Sequence, residues 1–216
     1  MLTFLQDFLP RLKNHLLSRI LGRAYEGDET EYTSEECNSI TFVNNCLYRH
    51  KVLRVNYTSY DLRRAQDSLN PRTQADVMTL SHEDDELAHP YWYARIIGVF
   101  HAAVNFRGLS SHPHISRGVR YMNFLWVRWF GRNVNHISGW KAKRLHQLGF
   151  MPYQDPDSFG FLDLNVIIRA VHLIPAFHYG RTSHLLPPSI VRRSSDGDED
   201  WVYYYVAMYG FTMPLF

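Results

Sequence analysis

The sequence is poor in cysteine, in long apolar runs and in the short motifs that mark catalytic centres. Its 216 residues hold two cysteines, Cys37 and Cys46, which excludes a disulfide scaffold and any Cys-based zinc cluster. Their spacing of nine is neither a metal nor a redox pattern, so free thiols and an intracellular protein are expected. No stretch reaches the roughly 18 apolar residues of a membrane span. The apolar start (Leu2, Phe4, Leu5, Phe8, Leu9) is interrupted by Asp7, Pro10, Arg11 and Lys13 and lacks a basic leader and a cleavage site. Neither a signal peptide nor a membrane partner is therefore expected. The sequon Asn56-Tyr57-Thr58 has no meaning without secretion.

Catalytic signatures are missing as well. There is no G-x-S-x-G elbow, P-loop, Rossmann glycine pattern or H-E-x-x-H helix. No alternation of strand and helix suggests a ribonuclease-H-like sheet for a carboxylate triad. The acidic run Glu83-Asp84-Asp85-Glu86 and the pair His112 and His114 read more simply as solvated loops than as metal ligands. The expectation is a protein that is not an enzyme, with no catalytic residue, metal, cofactor or small-molecule substrate.

What the chain does have is core-forming and aromatic material: 45% apolar residues, with 14 Tyr, 13 Phe and 5 Trp. Residues 2–21 carry Leu5, Leu9, Leu12, Leu16 and Ile20 at helical spacing, as a helix that covers the main domain or, less simply, binds a partner helix. Thr33-Ser34-Glu35-Glu36 reads as a capping box, with Ile40, Val43 and Leu47 extending a second helix over 34–47. From residue 51 the pattern turns to strands: 51–60, 75–80, 91–101 and 121–130, with shorter pieces at 140–150 and 159–162. Residues 166–177 read as a final strand or a short helix running into one. The 121–130 segment is apolar on both alternating faces, as a central strand would be. The reading is mainly β with N-terminal helices (α+β), built as a small SH3-like barrel. Its organisation is an N-terminal helical segment (1–48), a barrel domain (49–180), a flexible linker (181–200) rich in Gly, Pro, Ser and acids, and a C-terminal strand and tail (201–216).

The net charge of +2 conceals an uneven distribution. Between Glu86 and Asp155 there is no acidic residue, while Arg95, Arg107, Arg117, Arg120, Arg128, Arg132, Lys141, Lys143 and Arg144 supply nine positive charges. Trp126, Trp129, Phe130 and Trp140 are interleaved with them. Basic side chains neutralise phosphates and aromatic faces stack on bases, although the same pattern also describes core tryptophans under a solvated basic rim, or a peptide-binding surface.

Specific strings then carry a resemblance. Asp76-Val77-Met78-Thr79-Leu80, the stretch Pro90 to Phe100 with its Ala94-Arg95-Ile96, and Leu125-Trp126-Val127-Arg128-Trp129-Phe130-Gly131-Arg132 resemble the central strands of a bromo-adjacent homology (BAH) domain. Val166 to His172 looks like the closing segment of such domains, with Arg169 and Ala170 as departures. A broader resemblance covers nearly the whole chain. His15 to Arg19, His50 to Asp61, His89 to Phe100, Trp140 to His146 and Val171 to Phe177 are similar to the C-terminal region of proteins encoded by fungal DNA transposons. That region is similar in layout to the module ending plant CACTA-type transposase proteins. The resemblance implies a copy without the transposase active site. Residues 207–216 depart from the family's charged, Phe/Met-rich continuation, which implies a truncated or frame-shifted element.

Together these readings lead to a non-catalytic binding module of a transposon-derived protein, with the nucleus as its expected compartment. It would contact DNA or chromatin through Arg128, Arg132, Lys141, Lys143 and Arg144, with Tyr91, Trp92, Trp126 and Trp129 as candidate aromatic contacts. The alternative is a structural or assembly module that docks on a transposase or host protein.

Overall fold

A computed structural model describes residues 7–23, 31–58, 64–82, 89–139 and 141–207. The acidic run at 83–86, Trp140 and the tail beyond residue 207 lie outside these residues. Two long strands dominate: β6 (Tyr91–Phe106) and β7 (Gly118–Arg132). They pair antiparallel from Tyr93↔Phe130 to Phe106↔Gly118. Both are rich in aromatic and β-branched residues, which suit a pleated surface covered on both sides. The remaining strands are β1 (Ile40–Phe42), β2 (Tyr48–His50), β3 (Leu53–Thr58), β4 (Arg64–Leu69), β5 (Asp76–Leu80), β8 (Gln147–Phe150), β9 (Phe159–Leu162), β10 (Ile167–Ala170), β11 (His172–Pro175), β12 (Arg181–Thr182), β13 (Asp200–Trp201) and β14 (Tyr204–Ala207). The main sheet runs β10-β5-β6-β7-β8-β14-β11, with β1 and β2 on the free stretch of β6 and β9 on β7. The fold is mainly β. Among the described residues the two end strands, β10 and β11, do not pair; they are one stretch of chain broken at Val171, whose N–H donates to Asp76 O.

A bulge organises the faces of the central hairpin. The register shifts between Ile96 and Gly98, inserting Ile97 as an unopposed residue. Because side chains alternate with period two, one extra residue inverts parity. Even-numbered Ala94 and Ile96 therefore share a core with odd-numbered Val99, together with Leu125, Val127 and Leu162. Gly98 lets the Phe100 ring lie against the backbone, and a Cβ there would force that ring to move. On the opposite face Ala102, Val104, Phe106, Met122 and Phe124 meet a helix, α1 (Phe8–Ile20). Among the described residues the first face is covered only over the base of the hairpin, and towards the tip it is open.

Of the amphipathic helix expected over 2–21, residues 2–6 lie outside the described residues, and α1 covers the sheet. Leu12, Leu16 and Leu17 are fully buried, and the helix is pinned by Arg19 to Asp163 (2.7 Å) and by Arg11 Nη1 donating to Pro156 O. The helix expected over 34–47 is one turn only, α2 (Ser34–Cys37). Its capping box forms as expected, with Thr33 Oγ1 accepting from Glu36 N and Glu36 Oε2 accepting from Thr33 N. After that turn Ile40, Thr41 and Phe42 pair with the tip end of β6. A β-branched and aromatic triplet facing an unpaired strand edge is held more strongly as a strand than as helix.

Residues 181–200 are not a free linker. β12 pairs with β13, Leu186 is fully buried, and Arg192 donates to Pro187 O and Asp200. The Gly, Pro and Ser content marks turns, and the segment is fastened by side chains from elsewhere in the fold. β14 likewise belongs to the main sheet, between β8 and β11. Cys37 and Cys46 are free thiols. Among the described residues no helix is long and apolar enough to cross a membrane.

Replacing Leu16 with Ala should lower unfolding stability by about 3 kcal/mol, read as a drop in the urea midpoint with an unchanged slope.

Candidate nucleic-acid interface

The nine bases of the acid-free stretch do not form one surface. Two of them sit in the interior. Arg95 makes a bidentate contact with Asp76, at 2.6 and 3.0 Å, and lies over the rings of Phe130, Phe150 and Tyr204. Burial works against its charge, but Asp76 outweighs burial and pushes the guanidinium pKa up. Arg128 is 4% exposed. Its two terminal nitrogens reach Asp200 at 3.1 and 3.0 Å, and its guanidinium stacks 3.9 Å from the Phe150 ring centre. Arg192 reaches the same carboxylate at 2.9 Å. Burial would raise the Asp200 pKa, but the hydrogen bonds from Arg192 and Arg128 prevail and hold it below the ordinary value. Arg128 therefore cannot serve as a nucleic-acid contact, correcting the expectation from sequence. It fastens residues 181–201 to the central strand.

The remaining bases gather at opposite ends of the β6–β7 hairpin. Arg107, Arg117 and Arg120 lie at its tip. Arg132, Lys141, Lys143 and Arg144 lie at its base, all exposed. The twelve residue steps from Arg120 to Arg132 at about 3.3 Å each separate the two groups by about 40 Å. The base group has a built scaffold, the β7–β8 connection. Asn133 N donates to Gln147 O (2.9 Å) and Asn133 Nδ2 to Gln147 Oε1 (2.7 Å). Gly139 N donates to Arg144 O, and Lys143 takes a left-handed backbone conformation with φ 52°. Ser138 Oγ and His146 Nδ1 are 2.8 Å apart. The loop also presents Val134, Ile137 and Leu145 to solvent.

The four candidate aromatics divide in the same way. Trp126 is half-buried beneath α1, edge-on to Phe8 at 5.2 Å. Trp129 is half-buried against the core and edge-on to Trp92 at 6.0 Å. Both therefore serve packing, and the Trp92–Trp129 pair lies at the same end as the four exposed bases. Tyr91 lines a cavity of about 190 Å³ with Asp67, His89, Tyr93, His146 and Arg169. That volume is below the roughly 300–1,000 Å³ of ordinary small-molecule sites. Burial, reinforced by His89, lowers the His146 pKa to about 4. Among the described residues no three His, Cys, Asp or Glu side chains converge to hold a metal. His112 and His114 have ring centres 6.0 Å apart in the tip loop.

Sequence reasoning missed the two buried guanidinium–carboxylate clusters. A signal was present: Arg95 is the one Arg or Lys of β6, and Arg128 sits in the apolar and aromatic run between Phe124 and Phe130 of β7, where an unpaired charge is prohibitively costly. Their partners, Asp76, Asp200 and Arg192, could not be inferred from spacing. No family model matches the chain, and no curated protein or solved structure matches it.

Replacing Asp200 with Ala leaves two buried guanidinium groups uncompensated and should cost about 3–5 kcal/mol of stability in denaturant titration. Acid should act on two groups with definite sign. The Asp200 contribution is present above its unfolded pKa near 3.8 and disappears as pH falls through the depressed folded value. The His146 contribution declines as pH falls from about 6.5 to about 4, because the unfolded imidazole binds a proton that the folded one refuses. The urea midpoint should therefore fall between about pH 7 and pH 5, and His146→Gln should flatten that fall.

Proposed function

We propose that the chain is a non-catalytic binding module that contacts DNA or chromatin through the β7–β8 connection. The observation that carries this reading is the joint exposure of Arg132, at the end of β7, with Lys141, Lys143 and Arg144 in the connection that follows it, in a stretch of sequence without carboxylates. Four exposed cations at one end of the hairpin suit a phosphate backbone, which binds through neutralised charges and released counterions. The resemblance to transposon-encoded proteins and the absence of catalytic motifs support a transposon-derived, nuclear protein that is not an enzyme. The small BAH-like or SH3-like barrel is the finer reading of the fold. It is supported by the β5-β6-β7-β8-β14 order and by the chain continuity of β10 and β11. One observation favours the alternative of docking on a transposase or host protein: Val134 and Ile137, 79% and 74% exposed, lie on the same loop.

Duplex DNA titrated at two salt concentrations distinguishes these readings. Native chain should bind with a steep salt dependence, and changing Lys141, Lys143 and Arg144 together to Ala should reduce the slope of log K against log salt by about 2–3. Unchanged binding in the triple variant, or none in the native chain, would remove the loop as a DNA contact. A partner interaction lost in a Val134→Ser, Ile137→Ser variant but retained in the triple variant would select the alternative.

A further inference from the structure

The tip half of the β6–β7 hairpin leaves one sheet face bare. On the helix side this stretch is sealed by α1. On the other side the strand residues alternate outwards with nothing over them among the described residues. Tyr121 is 82% exposed, and Tyr48 on neighbouring β2 is 50% exposed. The Tyr48 ring stacks on the His101 imidazole, with centres 4.8 Å apart and planes 10° apart, and His101 is hydrogen-bonded to His50 at 2.6 Å. Tyr121 pairs in register with Ala103, a small residue that keeps the surface beside it low, and Tyr48 pairs with His101. Two strand spacings across and one side-chain step along the sheet put Tyr48 and Tyr121 about 12 Å apart on one face.

The charge of this face is one-sided. The four strands that form it, β1, β2, β6 and β7, contain no Asp or Glu. Exposed Arg107 and Arg117 bound it at the tip, and exposed Lys51 follows His50 at its edge. Glu36, whose field reaches His112 in the tip loop, has its carboxylate turned onto Thr33 N and Oγ1. Aromatic planes on an open sheet, rimmed by cations and carried by strands without a carboxylate of their own, with the nearby Asp163 paired to Arg19, match a ligand with both planar faces and a phosphate backbone. A duplex keeps its bases stacked away from such a surface; a single strand offers them.

We propose that this face is a stacking platform for single-stranded nucleic acid, on which Tyr121 and the Tyr48–His101 pair each receive a base while Arg107, Arg117 and Lys51 track phosphates. Its rings lie nine to eleven residue steps along β7 from Arg132, about 30–36 Å, and the site does not depend on the basic group at the base of the hairpin.

Fluorescence anisotropy with a labelled oligothymidylate and with a duplex of equal length tests the assignment. Native chain should bind the oligothymidylate, and Tyr121→Ala and Tyr48→Ala should each weaken that binding about tenfold, with duplex binding unchanged. Tyr121→Phe and Tyr48→Phe keep the ring and should retain oligothymidylate binding. The triple change of Lys141, Lys143 and Arg144 to Ala should spare it too, so failure of the duplex reading and failure of this one give different patterns. Absence of oligothymidylate binding, or equal binding by the Tyr48→Ala, Tyr121→Ala double variant, would overturn the platform. Self-association abolished by Tyr121→Ala without oligonucleotide binding would also overturn it, making the occupant a second copy of the chain.

Discussion

The buried contact between Arg128, Asp200 and Arg192 is the constraint on which the C-terminal third of the fold depends. Arg128 projects from the middle of the central strand, and Asp200 comes from 72 residues later. Without Asp200, Arg128 would be a charge in a closed interior, and without Arg128 the chain from 181 to 201 would lose its internal anchor. Such a triad adds little net stability over a well-packed apolar substitute, because dehydrating the ions offsets their attraction. Its consequence is selective: removing either partner is costly, so the segment has one place to go. Arg95 and Asp76 do the same between β5 and β6, surrounded by the rings of Phe130, Phe150 and Tyr204.

Interior pairing also determines what remains for binding. Once Arg95 and Arg128 are neutralised inside, the basic stretch becomes two exposed groups at the ends of one hairpin. The hairpin is stiff because it is sealed on the helix side along much of its length. The bulge at Ile97 sets which β6 residues reach each face, and on the face away from α1 the core ends at Val99 and Leu125, beyond which His101 and Tyr121 lie on the open part. A single unopposed residue thus sets which aromatic rings pack and which meet solvent.

Parts of this were legible in the chain. The covering helix followed from the spacing of Leu12, Leu16 and Ile20, and Phe106 and Phe124 are among the residues it packs on. The capping box at Thr33 and Glu36 was readable because it is local. The central position of 121–130 followed from two apolar faces, though the strand runs on from Gly118 to Arg132. The helix beyond Cys37 failed because propensity within 38–47 competes with a strand edge that lies some 60 residues away in sequence. The linker failed for a related reason: composition reports turns, and the tether that orders them is an ion contact across the fold.

By itself the sequence determined the β-rich class, the amphipathic helix and the acid-free basic stretch, since these depend on periodicity and on charge among neighbours in the chain; the strand read over 140–150 begins only at Gln147, and 141–143 form a turn. Only the tertiary structure decided that Arg128 faces inwards, that Trp126 lies under the helix, and that Tyr48 and Tyr121 share an open face. Each of those outcomes depends on strand register and on partners distant in sequence, to which local spacing is blind.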